Sequence, residues 1–282
     1  MNINNLMSII TLITDFGYKD HFVGQVKGDI YIKYPEANVV DISHEVSPFN
    51  IMEAAYILEN CYKSFPENTI HIIDVDSERT KEKKHIIMYL DNHYFITADN
   101  GILSILSQNI NPQEIYEITI HEDLNSVDSS TKIFTEVACH LAKGGKPEIV
   151  GKKIEKIKSV KNLKPFLNDD QKQIVSSVIY IDNFGNVITN LKKSYFEEIR
   201  KGRDFEISAR NYKFSKIYSR YSDIVNYATP TSQRNDEGKG MVVFNSNDLL
   251  QISIYRSNPM NVGTASSLMG LKIYDSVTVT FK

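Results

Sequence analysis

The sequence lacks the glycine-rich loops by which many enzymes grip phosphate. No GxGxxG follows the first apolar run and there is no P-loop, and HExxH and GxSxG are missing as well. Nucleotide-phosphate binding through such a loop is not expected. Cysteine is scarce: Cys61 and Cys139 form neither a CxxC nor a disulfide framework, and both read as reduced core residues. The seven histidines, His21, His44, His71, His85, His93, His121 and His140, are scattered without metal-ligand spacing, so neither a metal nor another cofactor is expected. His71 and His140 lie within apolar segments and read as core histidines. No apolar run approaches the ~18 residues of a membrane span. The N-terminus has no basic segment and no small-residue cleavage site, which leads us to expect a cytoplasmic protein. With a formal net charge of -3 and Lys and Arg spread along the chain, nothing favours nucleic acid as a partner.

What is present is a regular pattern. Four apolar runs, IITLITD, NVVD, IHIID and YFITAD, each close on an aspartate: Asp15, Asp41, Asp74 and Asp99. Amphipathic segments separate them. Phe22, Val26 and Ile30 recur four apart before Pro35 and predict a helix over about 20–34. Ser47-Pro48 reads as an N-cap and first helical residue ahead of the stripe Ile51, Ala54, Ala55, Leu58, Cys61, Tyr62 and Phe65. His85 to Leu90 and Tyr94 to Thr97 predict a hairpin around Asp91-Asn92-His93. Ile133, Phe134, Val137, Ala138 and Leu141 predict a helix closed by Gly144-Gly145.

Beyond a Lys- and Asp-rich stretch the chain turns to short alternating strands. The expected fold is an α/β N-terminal domain (1–160) with a mostly parallel central sheet flanked by helices, a linker (161–174), and a smaller all-β, barrel-like C-terminal domain (175–282). Parallel strands would gather the four aspartates on one sheet edge, where open α/β sheets bind ligands. The plainer alternatives are that Asp20 caps the first helix, Asp15 closes a turn and DNFGN (182–186) is a turn former. These residues describe an acidic pocket suited to a hydroxylated or cationic small molecule.

The ordered segments TLITDFGYKDHFVGQVKG, VVDISHEVSPFNIMEAAYIL, FPENTIHIIDVDSER, YFITADNGILSIL, YIDNFGNVITN and FNSNDLLQISI resemble the S-adenosylmethionine (SAM) hydroxide adenosyltransferase family, the SAM hydrolases related to fluorinase and chlorinase. The resemblance implies a homotrimer with sites at subunit interfaces and SAM as substrate rather than cofactor. It implies that Asp15 holds the ribose hydroxyls, that Asp20 and Asp182 hold the methionine end with help from Ser246, and that Asn186 holds the adenine. The reaction implied is displacement of methionine from the ribose 5′ carbon by water. A group of Asp, Arg and His would activate that water, and the first two match Asp74 and Arg79.

Two departures bear on the chemistry. The family's DPGVGxxR is here DVDSER, shorter and without glycine, and the family's HGRDIFAP falls on SSTKIFTE, which puts Ser129 at the histidine position. His121 could replace that histidine only if its loop folded back. Gln251 stands where the family has Glu. The reading is a SAM hydrolase using Asp74 and Arg79. The alternatives are a catalytically degenerate binder of SAM or adenosine, a halide-using SAM transferase, and a metal-dependent hydrolase built on Asp15, Asp74 and Asp99.

Overall fold

The computed structural model describes residues 8–120, 129–161, 163–260 and 263–282. The chain divides into two compact units, Met1–Lys161 and Asn162–Lys282.

The first unit contains, in order, β1 (Ile9–Thr14), α1 (Phe22–Lys33), β2 (Asn38–Ser43), α2 (Ile51–Glu59), β3 (Ile70–Asp74), β4 (His85–Leu90), β5 (His93–Ala98), α3 (Ile102–Leu106), β6 (Glu114–Ile118), α4 (Ser129–Ala142), α5 (Pro147–Val150) and β7 (Gly151–Lys153). The strands form one sheet in the order β2-β1-β3-β5-β4-β6-β7. Side-chain alternation splits each central strand between two cores. Ile10, Leu12, Ile70 and Ile72 meet Val26 and Ile30 of α1 and Ile133, Phe134 and Val137 of α4. Ile13 and Ile73 point the other way, into a core with Ala54, Ala55 and Leu58 of α2 and Leu103 of α3. Burial on both faces explains why these strands read as near-continuous apolar runs.

The sheet is mixed, not mostly parallel. β2, β1, β3 and β5 pair parallel, whereas the pairings β5–β4, β4–β6 and β6–β7 are antiparallel. The cause is local. Asp91 and Asn92 both take left-handed backbone (φ 52° and 62°), which closes a two-residue hairpin and reverses β4 against β5.

The second unit holds β8 (Phe166–Leu167), β9 (Gln173–Ile181), β10 (Val187–Lys192), α6 (Lys193–Arg200), β11 (Phe205–Ala209), β12 (Tyr212–Phe214), β13 (Gly240–Phe244), β14 (Leu249–Ile254), α7 (Ala265–Met269) and β15 (Ser276–Phe281). Its antiparallel sheet runs β12-β11-β15-β9-β10-β14-β13, with β8 on β9. A bridge from Tyr218, just after β12, to Val243 of β13 brings the two ends of the sheet toward closure. It is not all-β, since Phe196 of α6 and Ala265 and Met269 of α7 plug its core. The stretch 161–174 carries β8 and the first residues of β9.

The cap of α2 also differs from expectation. Asn50, not Ser47, receives the Glu53 amide on its side chain, and Phe49 takes a left-handed φ of 62° that keeps Pro48 outside the helix.

Candidate active site

The parallel register places Thr14 opposite Asp74 and Leu12 opposite Asp41. Asp15, Asp74 and Asp99 therefore stand at the C-terminal ends of adjacent strands β1, β3 and β5, while Asp41 sits two positions further back. Asp41 is neutralised there. Burial opposes its charge, but Lys27 (2.6 Å) and His44 (3.1 Å) outweigh that and hold the carboxyl below its ordinary value.

Asp74 is the most enclosed of these acids, at 2% exposure. Ser77 Oγ donates to its Oδ1, and Thr131 Oγ1, on the first turn of α4, donates to Oδ2 at 2.7 Å. Burial pushes the carboxyl up. The two hydroxyls pull it back in part, and the charge on Asp15 pushes it up again. The loop after β3 is held by its own bonds: His85 Nε2 (2.8 Å) and Ser130 Oγ (3.0 Å) both donate to the Ser77 carbonyl, and Lys83 pairs with Asp76 at 2.7 Å.

Asp15 is half-buried, and its Oδ2 accepts the Phe49 amide at 2.8 Å. It does not close a local turn; it ties the loop after β1 to the loop before α2. A second tie runs beside it. Thr14 Oγ1 shares a hydrogen bond with His44 Nδ1 at 2.8 Å, and the Gly17 amide donates to the His44 carbonyl at 2.7 Å. The Phe49 ring stays 73% exposed, next to the carboxylate its backbone holds.

The remaining acids and Arg79 are less engaged. Asp20 is exposed and does not cap α1, whose N-cap is His21 without a side-chain bond. Arg79 is exposed on the loop after β3 and is not among the groups that bond Asp74. Asp99 accepts the Lys158 amide at 2.8 Å, so Asp15, Asp74 and Asp99 are engaged separately. Among the described residues no group of three or more His, Cys, Asp or Glu is placed to hold a metal ion. His121 and the side chain of Ser129 lie outside the described residues.

In the second unit Asp182 and Asn186 form a single device. Asp182 Oδ1 accepts the amides of Phe184 and Asn186, both at 2.9 Å, and Oδ2 accepts Asn186 Nδ2 at 2.8 Å. Gly185 between them has φ +69° and its backbone lies so close to Thr264 that a Cβ would collide with that side chain. Ser246 is exposed on the turn between β13 and β14. Because β10 pairs Val187 with Ile252 and Lys192 with Leu249, that turn and the 182–186 turn lie at opposite ends of β10. Measured along the partner strand from Leu249 to Ile252, at about 3.3 Å per residue, the separation is roughly 10 Å. Gln251 is buried and donates to Tyr221 Oη (2.7 Å) and Ser253 Oγ (2.8 Å).

Sequence reasoning thus missed Thr131, Ser77 and His44. Thr131 stands 57 positions from Asp74, and no spacing rule connects a strand end to a distant helix start.

Two family models match the chain: the SAM hydroxide adenosyltransferase N-terminal domain over residues 10–151 and the C-terminal domain over residues 176–278. The chain is 26% identical to the (R)-S-adenosyl-L-methionine hydrolase of Methanocaldococcus jannaschii, across 99% of this chain and 98% of that protein. It is 24% identical to a fluorinase of Nocardia brasiliensis, across 71% and 76% of the two chains. A solved structure described as an uncharacterized conserved protein from Thermotoga maritima superposes with a TM-score of 0.79 at 28% identity, covering 96% of this chain and 99% of that one.

Proposed function

The chain belongs to the SAM hydroxide adenosyltransferase family, and on that premise we propose that it hydrolyses SAM to adenosine and methionine, with Asp74 as the base that orients and deprotonates the attacking water. The observation that carries this reading is the placement of Asp74: a buried carboxyl at a sheet edge, raised above its ordinary value, and therefore nearer to the basicity that proton abstraction at neutral pH requires. As the carbon–oxygen bond forms at the ribose 5′ carbon, the carbon–sulfur bond breaks and its electron pair stays on sulfur. Methionine leaves as a neutral thioether and needs no acid, and the proton of water passes to Asp74.

Asp15 would take the ribose hydroxyls with its Oδ1, since Oδ2 is committed to Phe49. Asp20 would reach the methionine end from its exposed loop. Asp182, which the resemblance assigns to the methionine end with help from Ser246, would through its bond to Asn186 also orient that side chain toward the adenine. Arg79 would act from the rim. The assembly we propose is a homotrimer with sites where subunits meet, which light scattering on purified protein tests.

Two carboxylates at the edge favour a sulfonium and a neutral nucleophile, and disfavour halide. The second reading, binding of SAM without turnover, is favoured by the exposure of Arg79. Incubating the protein with SAM, with and without chloride and EDTA, and separating adenosine, methionine and chlorinated nucleoside by chromatography distinguishes these. Adenosine and methionine in equal amounts, insensitive to EDTA, are expected. SAM binding with no product would replace the first reading by the second.

A further inference from the structure

We propose that Thr131 is the positioning residue of this site: its hydroxyl, presented by the first turn of α4, orients the Asp74 carboxylate and stabilises its ionised form. The inference rests on Asp74 being the base of the proposed hydrolysis. Its geometric basis is independent of that reaction. Asp74 Oδ2 is reached by Thr131 Oγ1 at 2.7 Å, and Oδ1 by Ser77 Oγ, so one hydroxyl from a helix and one from a loop fix the plane of the carboxylate.

The two hydroxyls differ in how firmly they are held. Thr131 belongs to a helix whose Ile133, Phe134 and Val137 are buried in the core, and α4 packs directly on β3. Its Cα is therefore fixed relative to Asp74. Ser77 sits on the loop after β3, and that loop keeps its place through the bonds of His85 and Ser130 to the Ser77 carbonyl.

The charged and titratable surroundings make the hydroxyl matter. Asp15 faces Asp74 from the β1 side and opposes its ionisation. His85 approaches from β4 but spends its Nε2 proton on the Ser77 carbonyl. Lys83 is committed to Asp76 on the loop after β3, and Lys132, next to Thr131 on α4, is exposed. Among the described residues, the groups that favour the Asp74 anion are thus the two hydroxyls. A hydrogen bond to a charged acceptor in a buried place is among the stronger ones, so its loss should move the titration measurably.

Two measurements on the full-length protein test this, comparing wild type with Thr131→Val, which keeps the shape, and Thr131→Ser, which keeps the hydroxyl. In the first, the Asp74 carboxyl is titrated by carbon-13 NMR without ligand, its signal identified by its loss in Asp74→Asn. Thr131→Val should titrate about one to two pH units higher than wild type, and Thr131→Ser within about half a unit of it. In the second, the acid limb of the kcat profile for SAM should move up by the same amount in Thr131→Val with KM unchanged, and return in Thr131→Ser. A Thr131→Val protein that titrates with wild type, or a Thr131→Ser protein that fails to restore it, overturns the assignment. If wild type releases no adenosine at any pH, the functional reading fails, while the NMR titration still decides the role of Thr131.

Discussion

At the scale of single residues, Asp74 carries two opposed consequences. As general base it should be worth about 10²- to 10⁴-fold, so Asp74→Asn should lower adenosine release by at least ~100-fold in a steady-state assay. Its effect on stability has the other sign. Burial raises the folded-state pKa above the unfolded value of about 3.9, so the folded chain holds the proton more tightly; that contribution is present at low pH and is lost as pH rises through the folded value. Asp74→Asn should therefore melt higher than wild type at pH 7.5 and no higher at pH 3; equal melting at both would show that the carboxyl is not strained. Arg79, exposed on its loop, should tolerate Arg79→Gln with less than about a tenfold loss of turnover, and a larger loss would bring it back to the base. Asp74 was singled out in the sequence by the family resemblance, since an acid that closes an apolar run is by itself equally well explained as a turn former. Its partners were not, because Thr131 and Ser77 reach it through the packing of α4 and the course of a loop. The same contrast separates the two histidines read as core. His71 is fully buried between Thr11 and His93, whereas His140 is only half-buried and donates to the Lys146 carbonyl beyond the end of α4.

At the scale of elements, legibility followed periodicity. The stripe Ile133, Phe134, Val137, Ala138 and Leu141 gave α4, and Gly144 at φ +80° ends it. The hairpin of β4 and β5 likewise follows from Asp91-Asn92. The start of α2 did not, because Ser47-Pro48 carries the signal of a helix start and the true cap lies three residues on. Asn50 accepts the Glu53 amide at 3.1 Å while Glu53 Oε2 receives the Ser47 amide and Asn50 Nδ2, so the reciprocal bonding of a capping box is spread over a longer segment. Asn50→Ala should cost about 1 kcal/mol in urea unfolding. Ser47→Ala should change nothing measurable, and the reverse ranking would restore Ser47 as the cap. The parallel strands and the β4–β5 hairpin were legible, but not the antiparallel pairing of β6 with β4 and of β7 with β6, since no short turn marks those neighbours and a buried strand reads the same in either direction.

At the scale of the whole molecule, the chemistry of the two units differs in one respect that a calorimeter can read. Every histidine lies in Met1–Lys161 and none in Asn162–Lys282. His71 is fully buried, and burial first, then the neighbouring His93, pushes its pKa down to about 3. A depressed imidazole contributes stability that is complete above the unfolded pKa of about 6.5 and declines as pH falls from there toward the folded value. At pH 5 the loss is on the order of 2 kcal/mol, which for a domain of this size corresponds to roughly 4–8 °C in Tm. His93, lowered mainly by its own burial, acts in the same direction. Asp74 and Asp99, raised by burial in the same unit, act in the opposite one, so a control must isolate the imidazole. Scanning calorimetry of the full chain at pH 7.5 and pH 5 should show one transition moving down on acidification and the other holding its place. In His71→Gln, which can still bond Thr11 and His93 but cannot titrate, the shift should shrink by the imidazole's share. If both transitions move together, or if His71→Gln shifts as wild type does, the acid sensitivity does not reside in the buried His71–His93 pair of β3 and β5.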